Sequence, residues 1–200
     1  LDGKSTAQML RENNKAFRKR VQIVFQNPFD TFTPRDTIEK ILMRPLKNYN
    51  IGASDEERLK MCRDALESGG LHPAEEILKR YPHELSGGQL QRISIIRSMF
   101  FKPDLIIADE PVSMLDVSVR ADIINMLLDL AKKNNTAVIF ISHDIALTRY
   151  ISDHIAVMYL GRVVEYGETD DVIAHPFHPY TRVLISHLSL IHISEPTRRS

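Results

Sequence analysis

The sequence predicts an α/β fold in which helices cover a parallel sheet, and three observations support this. Leu105–Asp109 and residues 137–142 are continuous apolar runs, which are typical of parallel strands buried on both faces. About thirty residues separate these runs, the usual size of a β-α-β unit. The intervening residues place apolar side chains along one helical face, as a crossover helix does. These side chains are Val119, Ile123, Met126, Leu127 and Leu130.

The other elements can be predicted in chain order. Residues 21–25, VQIVF, form a β-branched and aromatic run before a turn-prone QNP, which indicates a first strand. From residue 36 to residue 98 the pattern is helical, with an interruption at Pro45 and an acidic helix start after Ser54. HIAVMYL, residues 154–160, predicts a further strand. We therefore expect a helical insert between the first strand and the rest of the sheet.

Size and composition exclude several classes of protein. The chain has 200 residues, enough for one domain or for one domain with a subdomain, and 26 basic residues balance 26 acidic ones. This balance leaves no net field that would attract nucleic acid or an anionic membrane. Cys62 is the single cysteine, which excludes an internal disulfide and indicates a reducing, cytoplasmic compartment. No apolar run approaches the roughly 18 residues needed to span a bilayer.

Polar residues follow the two apolar strands where ligands collect in parallel sheets. Asp109 and Glu110 end the first run, and His143 follows the second. An aspartate suits Mg²⁺, and an adjacent glutamate can orient or deprotonate a water, which together are the minimum for nucleotide hydrolysis. On their own, an acidic pair is more often a polar turn and a single histidine is more often structural.

LSGGQLQR, residues 85–92, is called the signature segment below. Its two glycines let a backbone approach a ligand, and the helix that follows directs N–H groups toward an anion. Such an arrangement predicts a phosphate-binding helix start, although SGG alone would be better explained by an ordinary serine N-cap after a glycine turn. The apolar positions of the predicted helix include Leu90, Ile93, Ile96 and Phe100.

The signature segment is followed in order by LIIADEP, SMLD and ISHD, and this series resembles the ATPase subunit of ABC transporters. The resemblance implies a partial P-loop NTPase (RecA-like) parallel sheet with a helical signature subdomain. It also implies that ATP and Mg²⁺ are the cofactors. Met114 stands where the family usually has alanine, for which we expect a modest effect on the dimer contact.

The resemblance assigns a role to each matching residue. Gln26 matches the Q-loop glutamine, which reaches Mg²⁺ and the attacking water. Asp109 matches the Walker B aspartate that holds Mg²⁺, Glu110 the catalytic glutamate and His143 the switch histidine. Five further residues are expected to bind the nucleotide, four of them through the γ-phosphate of ATP held by the opposite subunit. They are Ser86, Gly87, Gly88 and Gln89 of the signature segment, and Asp116 of the D-loop.

Two further stretches resemble the oligopeptide/dipeptide importer group: NPFDTFTPRDTIEKILMRPL and HPYTR, residues 178–182. The expected function is ATP hydrolysis that energises peptide import, performed peripherally at the cytoplasmic face of the membrane. The implied partners are a second ATPase subunit, two permease subunits and, indirectly, an extracytoplasmic substrate-binding protein, with no nucleic acid. Alternatives are a soluble ABC ATPase acting on ribosomes or DNA, an importer of nickel or glutathione, and an assembly product without independent function.

GKST, residues 3–6, imitates the end of a P-loop. A P-loop needs GxxxxGK[ST] after a strand, and in the resembling family its lysine lies well upstream of the Q-loop glutamine. Lys4 and Gln26 are too close for that arrangement, so we interpret GKST as a chance match. We therefore expect that the chain lacks the P-loop and shows no ATPase activity by itself.

The predicted organisation has five segments. LSLIHISEPTR near the end resembles a translated sequencing-library adapter, so we expect residues from 188 onward to be non-native. Codons that differ from the adapter throughout would refute this. The segments are the N-terminal β-region remnant with the Q-loop strand (1–26), the helical subdomain (27–98), the α/β core (99–170), the importer-type segment (171–187) and the tail (188–200).

Overall fold

A computed structural model describes residues 3–193 of the chain, with side chains through residue 186. The chain divides into two compact units, Leu1–Ile141 and Ser142–Ser200. The helices and strands of the first unit are α1 (Thr6–Arg20), β1 (Val21–Val24), α2 (Ile38–Asn48), α3 (Asp55–Ser68), α4 (Ala74–Lys79), α5 (Gly87–Met99), β2 (Leu105–Asp109), α6 (Val117–Asn134) and β3 (Ala137–Ile141). Those of the second unit are α7 (Ile145–Ile151), β4 (His154–Tyr159), β5 (Arg162–Glu168), α8 (Thr169–Ala174) and α9 (Pro179–Ile193).

The first unit contains a parallel three-stranded sheet in the order β1-β2-β3. Ile106 and Ala108 of the central strand are fully buried, and β2 is paired with a strand on each side. Val24 pairs with Ala108, and Asp109 pairs with Ile141. The predicted α/β class and the three predicted strands of this sheet are therefore confirmed.

The prediction that both apolar strands are buried on both faces is wrong for β3. Ile139 and Ile141 are 50% and 45% exposed. Among the described residues β3 pairs only with β2, so one of its edges meets no neighbouring strand. A continuous apolar run indicates a parallel strand, but burial depends on the elements that flank the strand.

The region from α2 to α5, called the helical region below, has its own apolar core. Ser54 caps α3 by accepting a hydrogen bond from Glu57 N–H at 3.1 Å, as the sequence predicts. Pro45 lies inside α2 without ending it, because Leu42 and Leu46 on either side are fully buried and packing outweighs the lost hydrogen bond. The most buried members of this core are Ile38, Leu42, Leu46, Cys62, Leu66, Leu90 and Ile93.

Cys62 is fully buried in the helical region. Burial, and secondarily the charge of Glu39, raises the pKa of the Cys62 thiol to about 12. The thiolate is the reactive form of cysteine. Cys62 is therefore an inert part of the core rather than a functional thiol.

The predicted apolar faces of α5 and α6 are buried only in part, and residues outside those faces are buried as well. Phe100, Val119, Met126 and Leu130 are half-buried, whereas Ile95 and Ile124 are at most 2% exposed. Leu90, Ile93 and Ile96 of α5 are at most 2% exposed, and Ile123 and Leu127 of α6 are 1% exposed. By contrast α1 buries none of its residues and contains a non-helical residue at Asn13. The α1 segment carries no strong apolar stripe in the sequence, which agrees with this lack of burial.

The second unit contains a hairpin that the sequence analysis only half identified. The predicted strand β4 pairs antiparallel with β5, which was not predicted. Leu160 and Gly161 connect them with φ values of 48° and 75°, the left-handed conformation typical of a two-residue hairpin turn. Gly161, directly after the predicted strand, was the available signal.

The backbone of residues 188–193 continues α9. The rest of the predicted non-native tail, residues 194–200, lies outside the described residues. None of the helices in the described part of the chain combines the length and the apolar character that crossing a bilayer demands.

Candidate functional site

Gln26 and Glu110 meet at the carboxyl ends of β1 and β2. Val24 is paired with Ala108, so the residues two positions further along the parallel strands emerge side by side. The Gln26 Nε2 group donates hydrogen bonds to Glu110 Oε2 at 3.1 Å and to Ser113 Oγ at 3.0 Å. Gln26, Glu110 and Ser113 are called the strand-end site below. The structure thus brings together two predicted catalytic residues and one serine that was given no role.

Glu110 has an uncommon backbone conformation. Its φ is 43°, a left-handed value that non-glycine residues rarely adopt and that costs about 1 kcal/mol or more. Hydrogen bonds of its backbone N–H and carbonyl groups hold it there. Glu110 N–H donates to the Ile141 carbonyl at 3.0 Å, and Ser113 Oγ donates to the Glu110 carbonyl at 3.0 Å. Strain of this kind clusters at functional sites, which supports a catalytic role for Glu110.

Asp109 is the last residue of β2, immediately before Glu110 in the chain, and its side chain is exposed. With the carboxamide oxygen of Gln26, its carboxylate supplies the hard oxygen donors that Mg²⁺ prefers. Across the described residues, three or more His, Cys, Asp or Glu side chains nowhere form a metal-binding cluster. Mg²⁺ is commonly held by one or two carboxylates together with water and substrate phosphates, so this donor set fits it.

The signature segment opens α5 with a reciprocal cap. Ser86 Oγ accepts from Gln89 N–H at 3.2 Å, and Gln89 Oε1 accepts from Ser86 N–H at 3.0 Å. The first intrahelical bond runs from Leu90 N–H to the Ser86 carbonyl at 3.0 Å. The N–H groups of Gly87 and Gly88 therefore belong to the helix start, where donors lack intrahelical acceptors. Ser86 is exposed, and a ligand can reach it.

The two glycines of the signature segment differ in their surroundings. A Cβ on Gly88 would lie 2.9 Å from Val119 Cγ1, closer than real Cβ contacts. On Gly87 it would lie 3.4 Å from Leu115 Cδ2, an ordinary contact. Gly88 is therefore required for the close approach of α5 to α6, in addition to its predicted role at a phosphate.

The loop between the strand-end site and α6 carries Met114 and Asp116, both of which are exposed. Asp116 is the N-cap residue of α6 but makes no side-chain cap bond. Arg120 supports the loop backbone, because its Nε donates to the Leu115 carbonyl at 2.8 Å and its Nη2 lies 3.4 Å from the Ser113 carbonyl. The loop is thus held while these two side chains face solvent.

His143 follows β3 by two residues and belongs to the second unit. Its side chain is exposed. The next residue, Asp144, caps α7 by accepting from Leu147 N–H at 3.0 Å. The role of His143 as a switch histidine stays a prediction.

GKST has a local structural use. Ser5 Oγ caps α1 by accepting from Gln8 N–H at 3.2 Å, and Lys4 Nζ forms an ion pair with Glu12 at 2.6 Å. Both groups are exposed. These contacts explain the Gly-Lys-Ser-Thr stretch as the start of a surface helix. Its interpretation as a chance match to a P-loop stays a prediction.

The HPYTR stretch is anchored within the second unit by Glu165 of β5. The Glu165 carboxylate accepts from Phe177 N–H at 2.7 Å and from His178 N–H at 3.0 Å. Although burial opposes the shift, these N–H donors hold the pKa of Glu165 below its usual range. Tyr159 and Tyr180 add a ring contact with centroids 4.5 Å apart.

Ser113, Arg120 and Glu165 were missed by the sequence analysis. Ser113 lies inside the quoted SMLD stretch, so its position next to Glu110 was the available signal. The other two make contacts to backbone carbonyls or N–H groups, which leave no periodic pattern in a sequence.

Comparison with known proteins agrees with the resemblance. The sequence pattern of the family described as "ABC transporter" matches residues 1–113, and that of "Oligopeptide/dipeptide transporter, C-terminal region" matches residues 164–199. The second match extends into the tail that was expected to be non-native, and that expectation stays a prediction.

Curated relatives and a solved structure extend this agreement. A Brucella ovis protein whose name includes the words peptide import ATP-binding protein is 46% identical over 185 residues, covering 92% of this chain and 57% of the relative. The oligopeptide transport ATP-binding protein OppF of Escherichia coli is 44% identical over 184 residues, covering 92% and 54%. The chain thus spans about half the length of these relatives. Clostridium perfringens cbiO1, described as part of the ABC transporter complex cbiONQ, shares the fold with a TM-score of 0.68 and 24% identity, covering 94% and 69%.

Proposed function

The chain belongs to the ABC transporter family, and from that membership we propose that it is the hydrolytic part of an ATPase subunit that energises peptide import. The observation that carries this proposal is the hydrogen bond from Gln26 Nε2 to Glu110 Oε2. It joins the residue matched to the Q-loop with the residue matched to the catalytic glutamate, at the sheet edge where ligands bind.

In the proposed reaction Glu110 acts as the base that orients and accepts a proton from the attacking water. Gln26 holds the Glu110 carboxylate in position through its Nε2 group, and His143 assists at the γ-phosphate. Asp109 and the oxygen of Gln26 would hold Mg²⁺, which when bound neutralises charge on the phosphates. Ser113 fixes both the Gln26 side chain and the Glu110 carbonyl, and so limits the motion of the carboxylate.

The signature segment is proposed to act on a nucleotide held by a second ATPase subunit. The exposure of Ser86 and the N–H groups of Gly87 and Gly88 at the start of α5 support this role. A helix start of this kind favours an anion through its N–H groups and its dipole. Asp116 and Met114, exposed on the neighbouring loop, would contribute to the contact between the two subunits.

Peptide is the proposed cargo, and the second unit supports it. The oligopeptide/dipeptide transporter pattern covers the HPYTR stretch that Glu165 anchors, and the curated relatives carry peptide or oligopeptide in their names. The helical region would dock two permease subunits at the cytoplasmic face of the membrane, with a substrate-binding protein acting on the outer side. ATP would drive transport by binding the closed pair of ATPase subunits better than the open pair.

The proposal is tested by reconstituting the complete ATPase that contains this chain, together with its permease subunits, into lipid vesicles. ATP supplied on the ATPase side should drive uptake of a labelled dipeptide or oligopeptide. Glu110→Gln should abolish uptake, while Glu168→Gln, an exposed glutamate of the second unit, should not. Uptake of nickel or glutathione in place of peptide would refute the cargo. Hydrolysis that is stimulated by ribosomes or DNA and not by the permease would refute transport.

A further inference from the structure

Gln91 is a polar residue in the interior of α5 that the proposed reaction does not use. It is fully buried, and its Nε2 group donates to the Phe25 carbonyl at 3.2 Å. Its Oε1 atom is buried and has no hydrogen-bond partner in the described part of the chain. An unsatisfied buried acceptor destabilises a fold, and an apolar side chain of the same size would avoid that penalty. The contribution of the Gln91 carboxamide is therefore its hydrogen bond to the Phe25 carbonyl.

The acceptor of that bond, Phe25, immediately precedes Gln26 of the strand-end site. The Phe25 carbonyl and the Gln26 N–H belong to the same planar peptide group. Holding this carbonyl fixes the plane and so the direction in which the Gln26 side chain leaves the backbone. Gln26 is the residue whose Nε2 group reaches Glu110 at 3.1 Å.

A second contact from α5 holds the other end of the segment that follows Gln26. Arg97 Nη1 lies 3.5 Å from the Thr31 carbonyl, and its guanidinium lies over the Phe32 ring, 4.8 Å from the centroid. Burial lowers the pKa of Arg97. Residues 25–32, which lead from β1 into the helical region, are thus attached to α5 at both ends.

We propose that Gln91 is a positioning residue that links the signature segment to the catalytic carboxylate. A shift of α5, whose first turn is the signature segment, pulls on the Phe25 carbonyl through Gln91 and changes the hydrogen bonds of Gln26 to Glu110 and Ser113. Because Gln91 is fully buried, it acts through Gln26 and not directly on the nucleotide or the attacking water. The catalytic meaning of this link rests on the proposed function, whereas the link itself is a property of the chain.

The link is tested by nuclear magnetic resonance on the 200-residue chain. Gln91→Met keeps the side-chain volume and removes the donor. The signals of the Gln26 Nε2 protons are assigned by their absence in Gln26→Glu. In Gln91→Met these signals should change chemical shift, and the protons should exchange with water about threefold to tenfold faster. A change of this size corresponds to the loss of one hydrogen bond. Ser98→Ala is the matched control, because Ser98 is buried in α5 but donates only to the Ile95 carbonyl within the helix.

Gln26 signals in Gln91→Met that match those of Ser98→Ala would overturn the proposal. Should Gln91→Met fail to fold, Gln91→Leu is measured in the same way, with the same two outcomes. In the complete ATPase, Gln91→Met should lower kcat by a similar factor and leave KM for ATP unchanged. A complete protein that hydrolyses no ATP would refute the proposed function, while the Gln26 signals would still decide whether the link exists.

Discussion

The helical region and the strand-end site of the first unit are built in opposite ways. Leu42, Leu66 and Leu90 of the helical region are fully buried, and their contribution is the removal of apolar surface from water. The strand-end site consists of partly exposed polar side chains joined by bonds of about 3 Å and includes a left-handed backbone at Glu110. The helical region stabilises the fold, whereas the strand-end site includes a backbone conformation that lowers stability.

This difference separates the effects of substitutions. A change in the helical region should alter the free energy of unfolding, because it leaves a cavity or forces atoms together. A change in the strand-end site should alter chemistry while folding is largely preserved, because partly exposed hydrogen bonds contribute little net stability. Gln91 lies in the helical region and donates a hydrogen bond to the peptide group before Gln26, so its substitution should affect both stability and chemistry.

The largest expected effect on stability is that of Leu42→Ala. Leu42 is fully buried, so removing its side-chain carbons should lower the free energy of unfolding by about 2–5 kcal/mol. Leu10→Ala on α1 is the matched control, since Leu10 is 37% exposed and α1 buries no residue. Urea unfolding measures both variants. Equal urea midpoints for Leu42→Ala and Leu10→Ala would contradict the comparison, because they would show that packing in the helical region is not the source of stability.

Gly88→Ala should have the next largest effect. Its new Cβ would meet Val119 Cγ1 at 2.9 Å, and relieving such a clash typically costs about 1–3 kcal/mol. Gly87→Ala places its Cβ at an ordinary 3.4 Å from Leu115 and serves as the control, with a stability equal to or above that of the parent chain. The difference between the two unfolding free energies measures how much Gly88, compared with Gly87, contributes to packing in addition to its proposed role in ligand binding. A Gly88→Ala chain as stable as Gly87→Ala would contradict the packing role.

The smallest expected effect is a loss of the stability contributed by the Glu165 carboxylate at acid pH. Its pKa is lower in the folded chain than the unfolded value of about 4.3. The stability from this carboxylate is therefore present above about pH 4.3 and is lost as the pH falls through the lower, folded pKa. The amide proton shifts of Phe177 and His178 should follow this titration with a midpoint below that of a free glutamate, and Glu165→Gln should abolish it. A midpoint at or above the free value would mean that the two N–H bonds are absent.

Sequence reasoning succeeded where a residue's role depends on its place at a strand end. The runs that contain Val24 and Ala108 are recognisable as strands. Parallel pairing of these strands then places Gln26 next to Glu110. Sequence reasoning failed for β5, because charged residues and a glycine interrupt residues 162–168 and leave no apolar run. It also could not foresee the exposure of Ile139, because burial of a strand is decided by elements distant in sequence.

The contacts of Gln91, Arg120 and Ser113 could not be predicted for a related reason. Each is a hydrogen bond between groups far apart in the chain or within an irregular loop, and such bonds follow from the docking of α5 and α6. The left-handed backbone of Glu110 is set by the Ile141 and Ser113 contacts rather than by the intrinsic preference of glutamate. Local pattern identifies the elements, and their packing determines these details.

The central claim is that the strand-end site performs hydrolysis on a scaffold whose stability lies elsewhere. The most direct test is the rate of ATP hydrolysis by the complete protein carrying Glu110→Gln, with its melting temperature recorded alongside. A fall of about 10²–10⁴-fold, the usual contribution of a general base, with an unchanged melting temperature is the predicted result. Hydrolysis at the unsubstituted rate would contradict the claim.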